Sequence, residues 1–151
     1  MPELEALIDQ HQSTPGGLMP LLHAIQDQWG HVPAEAVAPM AQALNLSRAE
    51  VHGVITYYHH FRSTPPGRQV IQICRAESCQ ACGSEALVQL AEKTLGCAMG
   101  QTRADGSVSL EPVYCLGLCA SSPAMQVNEA LYARVTPEGL ERLLSDLEVV
   151  A

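Results

Sequence analysis

The sequence predicts an α+β protein in which a small helical bundle, residues 1–65, precedes a mixed helix-and-sheet domain, residues 66–151. The first part of the chain repeats its apolar residues with the period of an amphipathic helix, whereas short β-prone runs begin only in the second part. Residues 63–67, Ser-Thr-Pro-Pro-Gly, are rich in helix breakers and separate the two patterns. Apolar residues make up 47% of the chain and charged residues 16%, a balance that supports packed cores and argues against bulk disorder.

Three apolar stripes with helical spacing run through the first region. The first stripe ends before Gly30, a common type of helix stop. Pro33 suits the start of the second helix, but Pro39 should either kink that helix or place its start nearer residue 38. Ser47 and Glu50 have the spacing of a capping box and predict the start of the third helix. The stripes consist of Leu18, Leu21, Leu22, Ile25 and Trp29, then Val37, Met40, Ala41 and Leu44, then Val51, Val54, Ile55 and Tyr58.

The second region predicts the order β-α-β-β-β-α. Asp105 and Gly106 mark a turn, and Asn128 marks the turn of a hairpin. Thr136 should cap the last helix, with Pro137 at its first position. This order, which begins with a right-handed crossover, resembles a small thioredoxin-like domain. The strands are expected at residues 69–73, 107–113, 124–127 and 131–135, and the first helix at residues 84–95.

Charge and hydropathy exclude several classes of partner. The net charge of −8 argues against nucleic acid, which is bound by clustered Lys and Arg. The chain contains no run of about 18 apolar residues that could span a bilayer. Glu3, Glu5 and Asp9 stand where a signal peptide would carry basic residues. A cytoplasmic protein with no membrane partner is therefore expected.

Six cysteines in a cytoplasmic protein need a role other than disulfide formation, because cytosolic thiols are kept reduced. Four of them form two close pairs, Cys74 with Cys79 and Cys115 with Cys119, each in a loop directly after an expected strand. Thiolate sulfur is the soft ligand that iron prefers, and two such loops can supply two ligands per iron of an iron–sulfur cluster. Gly117 and Gly83 would let backbone N–H groups approach the cluster and stabilise its negative charge.

The same cysteines allow three other interpretations. Cys74, Cys79 and Cys82 have the spacing of a plant-type ferredoxin, although this leaves one of the later paired cysteines without a role. Cys79 and Cys82 could form a thioredoxin-like dithiol, which would explain only two of the thiols. The four paired cysteines could instead bind structural zinc, although zinc sites more often use shorter spacings. Cys97 follows the end of an expected helix and is interpreted as a small buried apolar residue.

Three stretches of the chain carry a family resemblance. They are QDQWGHVP at residues 26–33, SRAEVHGVITYYHHFR at residues 47–62 and CRAESCQACG at residues 74–83. Together with the two cysteine pairs behind a helical region, they resemble the small thioredoxin-like [2Fe–2S] subunit of the NADH-oxidising module of respiratory complex I. Within that family they are most similar to the gamma subunit of soluble, molybdenum-dependent, NAD-linked formate dehydrogenases. The resemblance covers nearly the whole chain.

The resemblance implies a non-catalytic electron-transfer subunit of an oxidoreductase. Cys74, Cys79, Cys115 and Cys119 would ligate one [2Fe–2S] cluster, which would relay single electrons near the flavin of a partner. The implied partners are a flavin- and NAD-binding iron–sulfur subunit and a molybdenum-containing catalytic subunit that oxidises formate. The chain itself has no glycine-rich motif for binding a dinucleotide or a phosphate. The alternatives are the equivalent subunit of complex I or of an NAD-reducing hydrogenase, and a zinc-stabilised assembly or adaptor module.

The helical region contains no candidate ligand for a cluster, so we expect it to dock the subunit onto its partner. Trp29, Tyr57, Tyr58 and Phe61 are the expected anchors, because aromatic residues are enriched in buried interfaces. Packing inside the bundle is the competing role, above all for Trp29 and Tyr57, which share faces or turns with the apolar stripes.

Overall fold

A computed structural model describes residues 2–147. The chain divides into two compact units, and the division falls between Pro65 and Pro66. In the described residues the first unit contains only helices, whereas the second contains a sheet and helices. No helix in this part of the chain is long and apolar enough to cross a membrane.

In the described residues, four α-helices form the first unit and bury their apolar faces in one core. They are α1 (Pro2–His11), α2 (Leu18–Trp29), α3 (Val37–Ala43) and α4 (Arg48–Tyr57), with a 3-10 turn at Ala34–Ala36. Leu21, Leu22 and Ile25 of α2 are fully buried, as their helical spacing predicts. Leu4 and Ile8 of α1 join the same core, although none of the three predicted stripes includes this helix.

Local signals set the ends of these helices. α2 ends at Gly30, which has a left-handed conformation (φ 74°) and donates its N–H to a carbonyl one turn earlier at 2.6 Å. α4 starts with the predicted capping box, in which Glu50 N–H donates to Ser47 Oγ at 3.1 Å and Ser47 N–H donates to Glu50 Oε2 at 2.7 Å. The backbone and hydroxyl hydrogen bonds from Ser47 lower the pKa of Glu50. α3 begins at Val37, so Pro39 lies in its first turn, where proline is tolerated.

The second unit is built on a mixed, five-stranded sheet. Its elements are β1 (Gln69–Cys74), α5 (Glu77–Ala81), α6 (Ser84–Leu95), β2 (Gln101–Thr102), β3 (Val108–Val113), β4 (Met125–Val127), β5 (Ala130–Tyr132) and α7 (Pro137–Asp146). The strand order is β2-β3-β1-β4-β5. β1 and β3 pair in parallel, as expected of strands joined through a helix, and the other neighbouring strands pair antiparallel.

The strands differ from the prediction by more than one residue in two places. β2 has no counterpart among the predicted strands; it pairs through Gln101 and Thr102 with the free edge of β3. β5 ends at Tyr132 instead of reaching residue 135. The reason is that Arg134 N–H and Val135 N–H donate to carbonyls of residues 121 and 123 and so leave the ladder with β4.

Apolar side chains from the sheet, α6 and α7 form the second core. Ile71 and Ile73 of β1 and Leu110 of β3 are fully buried in it. Cys97 also lies in this core, which confirms that it is a buried residue. Its Sγ–H donates to Gln101 O at 3.2 Å. The core holds β1 and β3 side by side, so the carboxyl ends of these two strands are neighbours.

Candidate metal centre

The two cysteine loops leave the same edge of the sheet. Cys74, the last residue of β1, is in register with Val113, the last residue of the parallel strand β3. Cys74 N–H donates to Ala124 O at 3.1 Å, and Arg75 N–H donates to Val113 O at 2.8 Å. These backbone hydrogen bonds hold the start of the first loop between the end of β3 and the start of β4.

The first cysteine loop, residues 74–82, buries its two predicted ligands. Cys74 and Cys79 are each only 2% exposed, and together with Ala124 they form a small buried cluster. Cys79 lies in α5, a short helix that the sequence patterns do not predict. Gln80 Nε2 donates to Arg75 O at 2.9 Å and closes the loop around this helix.

The second cysteine loop, residues 114–122, lies at the surface. Cys115 and Cys119 are both exposed, and their Sγ atoms lie 3.7 Å apart. Cys115 has a φ of 94° and Gly117 one of 76°, so the backbone turns back sharply between the two thiols. Gly117 N–H donates to Cys115 Sγ at 3.4 Å, the contact expected of a glycine beside a thiolate ligand. A 3-10 helix, Cys119–Ser121, ends the loop.

The thiols affect one another's ionisation. Burial raises the pKa of Cys79, but hydrogen bonds with Ser122, a backbone N–H and Cys74 outweigh it, and the net pKa is lowered. The pKa of Cys119 is raised, first by its hydrogen bond with Cys115 and the charge there, then by burial and the charges of the two buried thiols. Because a cysteine ligates a metal as its thiolate, a bound cation would offset the repulsion that opposes ionisation of the four thiols.

The exposed cysteines, Cys115 and Cys119, are spaced as two ligands of one metal ion. In residues 2–147, no group of three or more His, Cys, Asp or Glu side chains is arranged to hold a single metal ion. The 3.7 Å between the Sγ atoms of Cys115 and Cys119 matches the roughly 3.8 Å expected for two tetrahedral ligands with metal–sulfur bonds of about 2.3 Å. In a [2Fe–2S] cluster each iron takes two thiolates, so one iron would accept a pair with this spacing.

The other two cysteines have different surroundings. Cys82 is exposed at the C-terminal end of α5, where its N–H donates to Ser78 O at 3.1 Å. Cys97 lies in the apolar core of the sheet. All six histidines fall between residues 11 and 60, in the helical unit, so the cysteine-bearing unit contains no imidazole.

Two serines connect the cysteine loops, and neither is among the predicted site residues. Ser78 Oγ and Ser122 Oγ lie 2.9 Å apart, and they lie 3.1 and 2.9 Å, respectively, from Cys119 O. Cys79 Sγ lies 3.5 Å from Ser122 Oγ. Ser78 directly precedes Cys79 in the chain, but its contact with Ser122 spans 44 positions and depends on the pairing of β1 with β3. No local sequence signal could have identified this pair.

Comparison with known proteins identifies relatives for nearly the whole chain. The family model described as thioredoxin-like [2Fe-2S] ferredoxin matches residues 4–148. The chain is 37% identical over 142 residues to an NADH-quinone oxidoreductase subunit of Rhizobium meliloti (strain 1021), across 94% of this chain and 84% of that protein. It is 28% identical over 144 residues to the NADP-reducing hydrogenase subunit HndA of Solidesulfovibrio fructosivorans, across 95% of this chain and 84% of that protein.

The fold has a counterpart in a larger protein. The crystal structure of an NAD+-reducing [NiFe]-hydrogenase in the H2-reduced state matches with a TM-score of 0.75 and 25% identity. The match covers 87% of this chain but only 22% of the hydrogenase chain. The family match extends over both units and both cysteine loops. The chain therefore belongs to the thioredoxin-like [2Fe–2S] ferredoxin family, and its cofactor is a [2Fe–2S] cluster.

Proposed function

We propose that this chain is the electron-transfer subunit of an NAD-linked dehydrogenase complex and that Cys74, Cys79, Cys115 and Cys119 hold its cluster. The observation that carries the ligand assignment is the meeting of two cysteine pairs at one edge of the sheet, where β1 and β3 end in register. Membership of a multisubunit complex is supported by the relatives, which are by name subunits of an NADH-quinone oxidoreductase and of an NADP-reducing hydrogenase.

The residues around the site suit a one-electron relay. When bound, the cluster supplies one-electron oxidation and reduction. The first loop keeps water away from Cys74 and Cys79, whereas the second leaves Cys115 and Cys119 accessible to the redox centre of a partner. Gly117 N–H, 3.4 Å from Cys115 Sγ, offsets negative charge at the exposed pair. A flavin can accept two electrons as a hydride, and a cluster beside it can hold one electron at a time.

The content of the site is tested on the purified chain. Anaerobic purification should give a red-brown protein with equal amounts of iron and acid-labile sulfide and a paramagnetic signal after one-electron reduction. A colourless protein with one zinc ion per chain would overturn the proposal in favour of the zinc-stabilised module. The same preparation should bind neither NADH nor formate, because the chain has no dinucleotide-binding or phosphate-binding glycine motif. Formate oxidation by the chain alone would contradict a relay role.

We further propose that the complex is a formate dehydrogenase. The support is the resemblance of residues 26–33, 47–62 and 74–83 to the gamma subunit of molybdenum-dependent, NAD-linked formate dehydrogenases. The partners would be a flavin- and NAD-binding iron–sulfur subunit and a molybdenum-containing catalytic subunit. Isolation of the native complex through a tag on this chain should recover molybdenum and formate-dependent reduction of NAD+. Recovery of quinone reductase or hydrogenase activity without molybdenum would favour the equivalent subunit of those complexes.

Docking onto the partner is proposed for the helical unit. Tyr57 and Tyr58 are 74% and 45% exposed, and they border an apolar groove of about 510 Å³ that Leu18 and Val54 also line. Phe61 does not fit its expected role as an anchor, because it is only 7% exposed and belongs to the bundle core. Trp29 is half-buried against the same core.

The docking role is tested by removing the two exposed rings. A Tyr57→Ala/Tyr58→Ala variant should retain its helical content and its cluster but bind the flavin subunit at least about tenfold more weakly, as expected of aromatic anchors. Gln28→Ala, at an exposed position of α2, is the matched control and should bind normally. Residues 64–151 alone should likewise hold a cluster and bind weakly. Unchanged affinity in both the double variant and the fragment would contradict docking through this unit.

A further inference from the structure

The serine couple, Ser78 and Ser122, lies where the buried and the exposed cysteine pairs meet. Ser78 belongs to α5 in the first loop, and Ser122 ends the second loop. The two hydroxyl oxygens lie 2.9 Å apart. Both reach the carbonyl of Cys119, and Ser122 Oγ also lies 3.5 Å from the sulfur of the buried Cys79. The couple therefore touches one proposed ligand from each pair.

The direction of the contact with Cys79 depends on whether the thiol is ionised. In the metal-free chain the Cys79 S–H can donate to Ser122 Oγ, and the Ser122 hydroxyl can donate to Cys119 O at 2.9 Å. A thiolate bound to iron has no proton to donate, so the same contact persists only when Ser122 O–H donates to the sulfur. Ser78 O–H, 3.1 Å from Cys119 O, can then supply the hydrogen bond that this carbonyl would otherwise lose.

We propose that Ser122 donates a hydrogen bond to the iron-bound sulfur of Cys79, and that Ser78 is the positioning residue that leaves the Ser122 proton free to do so. The proposal rests on the ligand set given above. The couple thereby raises the reduction potential of the cluster. Adding an electron makes the ligand sulfurs more negative, so a hydrogen-bond donor stabilises the reduced form more than the oxidised form.

The site of the contact strengthens its effect. Cys79 is 2% exposed, so water cannot readily replace a donor that is lost there, and the low local dielectric makes the hydrogen bond stronger than at the surface. At the exposed pair the corresponding donor is the Gly117 N–H to Cys115 Sγ, a backbone group that side-chain substitution does not remove. Ser122 is therefore a place where a side chain can tune the potential through the buried half of the site.

The test is a potentiometric titration of the cluster-loaded full chain, followed by electron paramagnetic resonance. At the wild-type midpoint, Ser122→Ala should lower the ratio of reduced to oxidised cluster about tenfold, which corresponds to about 59 mV for one electron. Ser122→Thr, which keeps the hydroxyl, should restore most of the shift. Ser78→Ala should lower the potential by a smaller amount, because the Ser122 proton is then drawn to Cys119 O. Ser121→Ala, the same change one position earlier, is the control and should leave the potential unchanged.

The outcomes separate this inference from the proposed function. A wild-type chain without iron and sulfide contradicts the proposed function itself. A full cluster in Ser122→Ala with the wild-type potential overturns the inference alone. If Ser122→Ala assembles no cluster, Ser78→Ala decides, since it retains the Ser122 hydroxyl: a lowered potential supports the couple, and an unchanged potential overturns it.

Discussion

Each cysteine loop provides one pair of thiols, but the two pairs lie in opposite environments. In the first loop Cys74 and Cys79 are 2% exposed and receive backbone support from β3 and the start of β4. In the second loop Cys115 and Cys119 are exposed, and the turn between them depends on positive φ angles. The first loop is shaped mainly by packing, whereas the second is shaped mainly by backbone conformation.

This difference suits the two demands on an electron carrier. With the proposed ligand set, burial lowers the dielectric around Cys74 and Cys79 and strengthens any hydrogen bond to their sulfurs, so the first loop would have the greater influence on the potential. Exposure brings the second pair within reach of another redox centre and lets solvent stabilise added charge. We therefore expect the first loop to influence the potential and the second loop to exchange electrons with the partner.

The largest effect is expected from replacing the four proposed ligands. Each serine variant of the four paired cysteines should lose the cluster or weaken it severely, because a hydroxyl is a poor substitute for a thiolate on iron. The loss should be most complete in the buried pair, where no water can serve as a substitute ligand. Iron and sulfide analysis measures the content. The variants are Cys74→Ser, Cys79→Ser, Cys115→Ser and Cys119→Ser.

The control variants for this series are Cys82→Ser and Cys97→Ser, which should keep the cluster. Cys82 is exposed outside the two pairs, and Cys97 is buried in the sheet core. A cluster that is lost in Cys82→Ser but retained in Cys119→Ser would replace the assignment by the plant-type spacing.

The second-largest effect should follow removal of iron. Binding of a metal group by a folded site contributes directly to folding free energy, so the chelated chain should melt at least about 5 °C lower than the loaded one. Hydrogen exchange should quicken more in residues 114–122 than in residues 74–82, because packing and backbone hydrogen bonds still hold the first loop. Equal melting temperatures, or faster exchange in the first loop, would contradict the contrast between the loops.

A smaller effect is expected from Gly117→Ala. Gly117 has a φ of 76°, and a Cβ there would have open space around it, so the cost is backbone strain alone, about 1 kcal/mol of unfolding free energy. Gly53→Ala is the matched control, since Gly53 lies inside α4 with open space around it and should gain about 0.5–1 kcal/mol. Denaturant unfolding measures both. No loss of stability in Gly117→Ala would show that the second loop does not depend on its backbone conformation.

The smallest effect is expected at the opposite end of β3 from the cysteines. Arg103 Nε and Ser107 Oγ donate to Asp105 at 3.0 and 2.6 Å, and these bonds hold the pKa of Asp105 well below its usual range. Because the folded pKa is lowered, the stability is present above the unfolded value of about 3.9 and is lost as the pH falls below it. The difference in unfolding free energy between the metal-free wild type and Asp105→Asn should therefore shrink in acid.

Asp105→Asn is also a control for the cluster potential. Asp105→Asn should leave the cluster potential at neutral pH unchanged, since the turn lies before β3 and both cysteine loops lie beyond the strand ends. A stability difference that stays constant down to about pH 3 would contradict the lowered pKa of the Asp105 carboxyl, which loses its charge only in acid.

Elements with local signals were predicted from the sequence with close bounds. The capping box of Ser47 and Glu50 opens α4, and Thr136 caps α7 with Pro137 at its start. Asn128 has the positive φ expected in a hairpin turn, and α6 covers the predicted residues 84–95. Each of these signals acts within a few residues, so neighbouring side chains suffice to specify the backbone.

Elements that depend on distant partners were missed. α5 has five residues, too few for a helix that is stable by itself, and the side chain of Gln80 and the surrounding loop support it. β2 has two residues and exists through its pairing with the edge of β3. α1 contributes Leu4 and Ile8 to a core whose other residues come from later helices.

The candidate site also combines features that the sequence predicts with features that only the tertiary structure determines. The spacing and type of Cys74, Cys79, Cys115 and Cys119 predict two pairs of soft ligands, because ligand chemistry resides in the side chains and their separation along the chain. The two loops meet because β1 and β3 end in parallel register. Packing buries the first pair, and the backbone turn of the second loop leaves its pair exposed. The contact between the two loop serines, 44 positions apart, follows from the same register. Such contacts are tertiary because register and packing, and not the residues adjacent in sequence, determine which side chains meet.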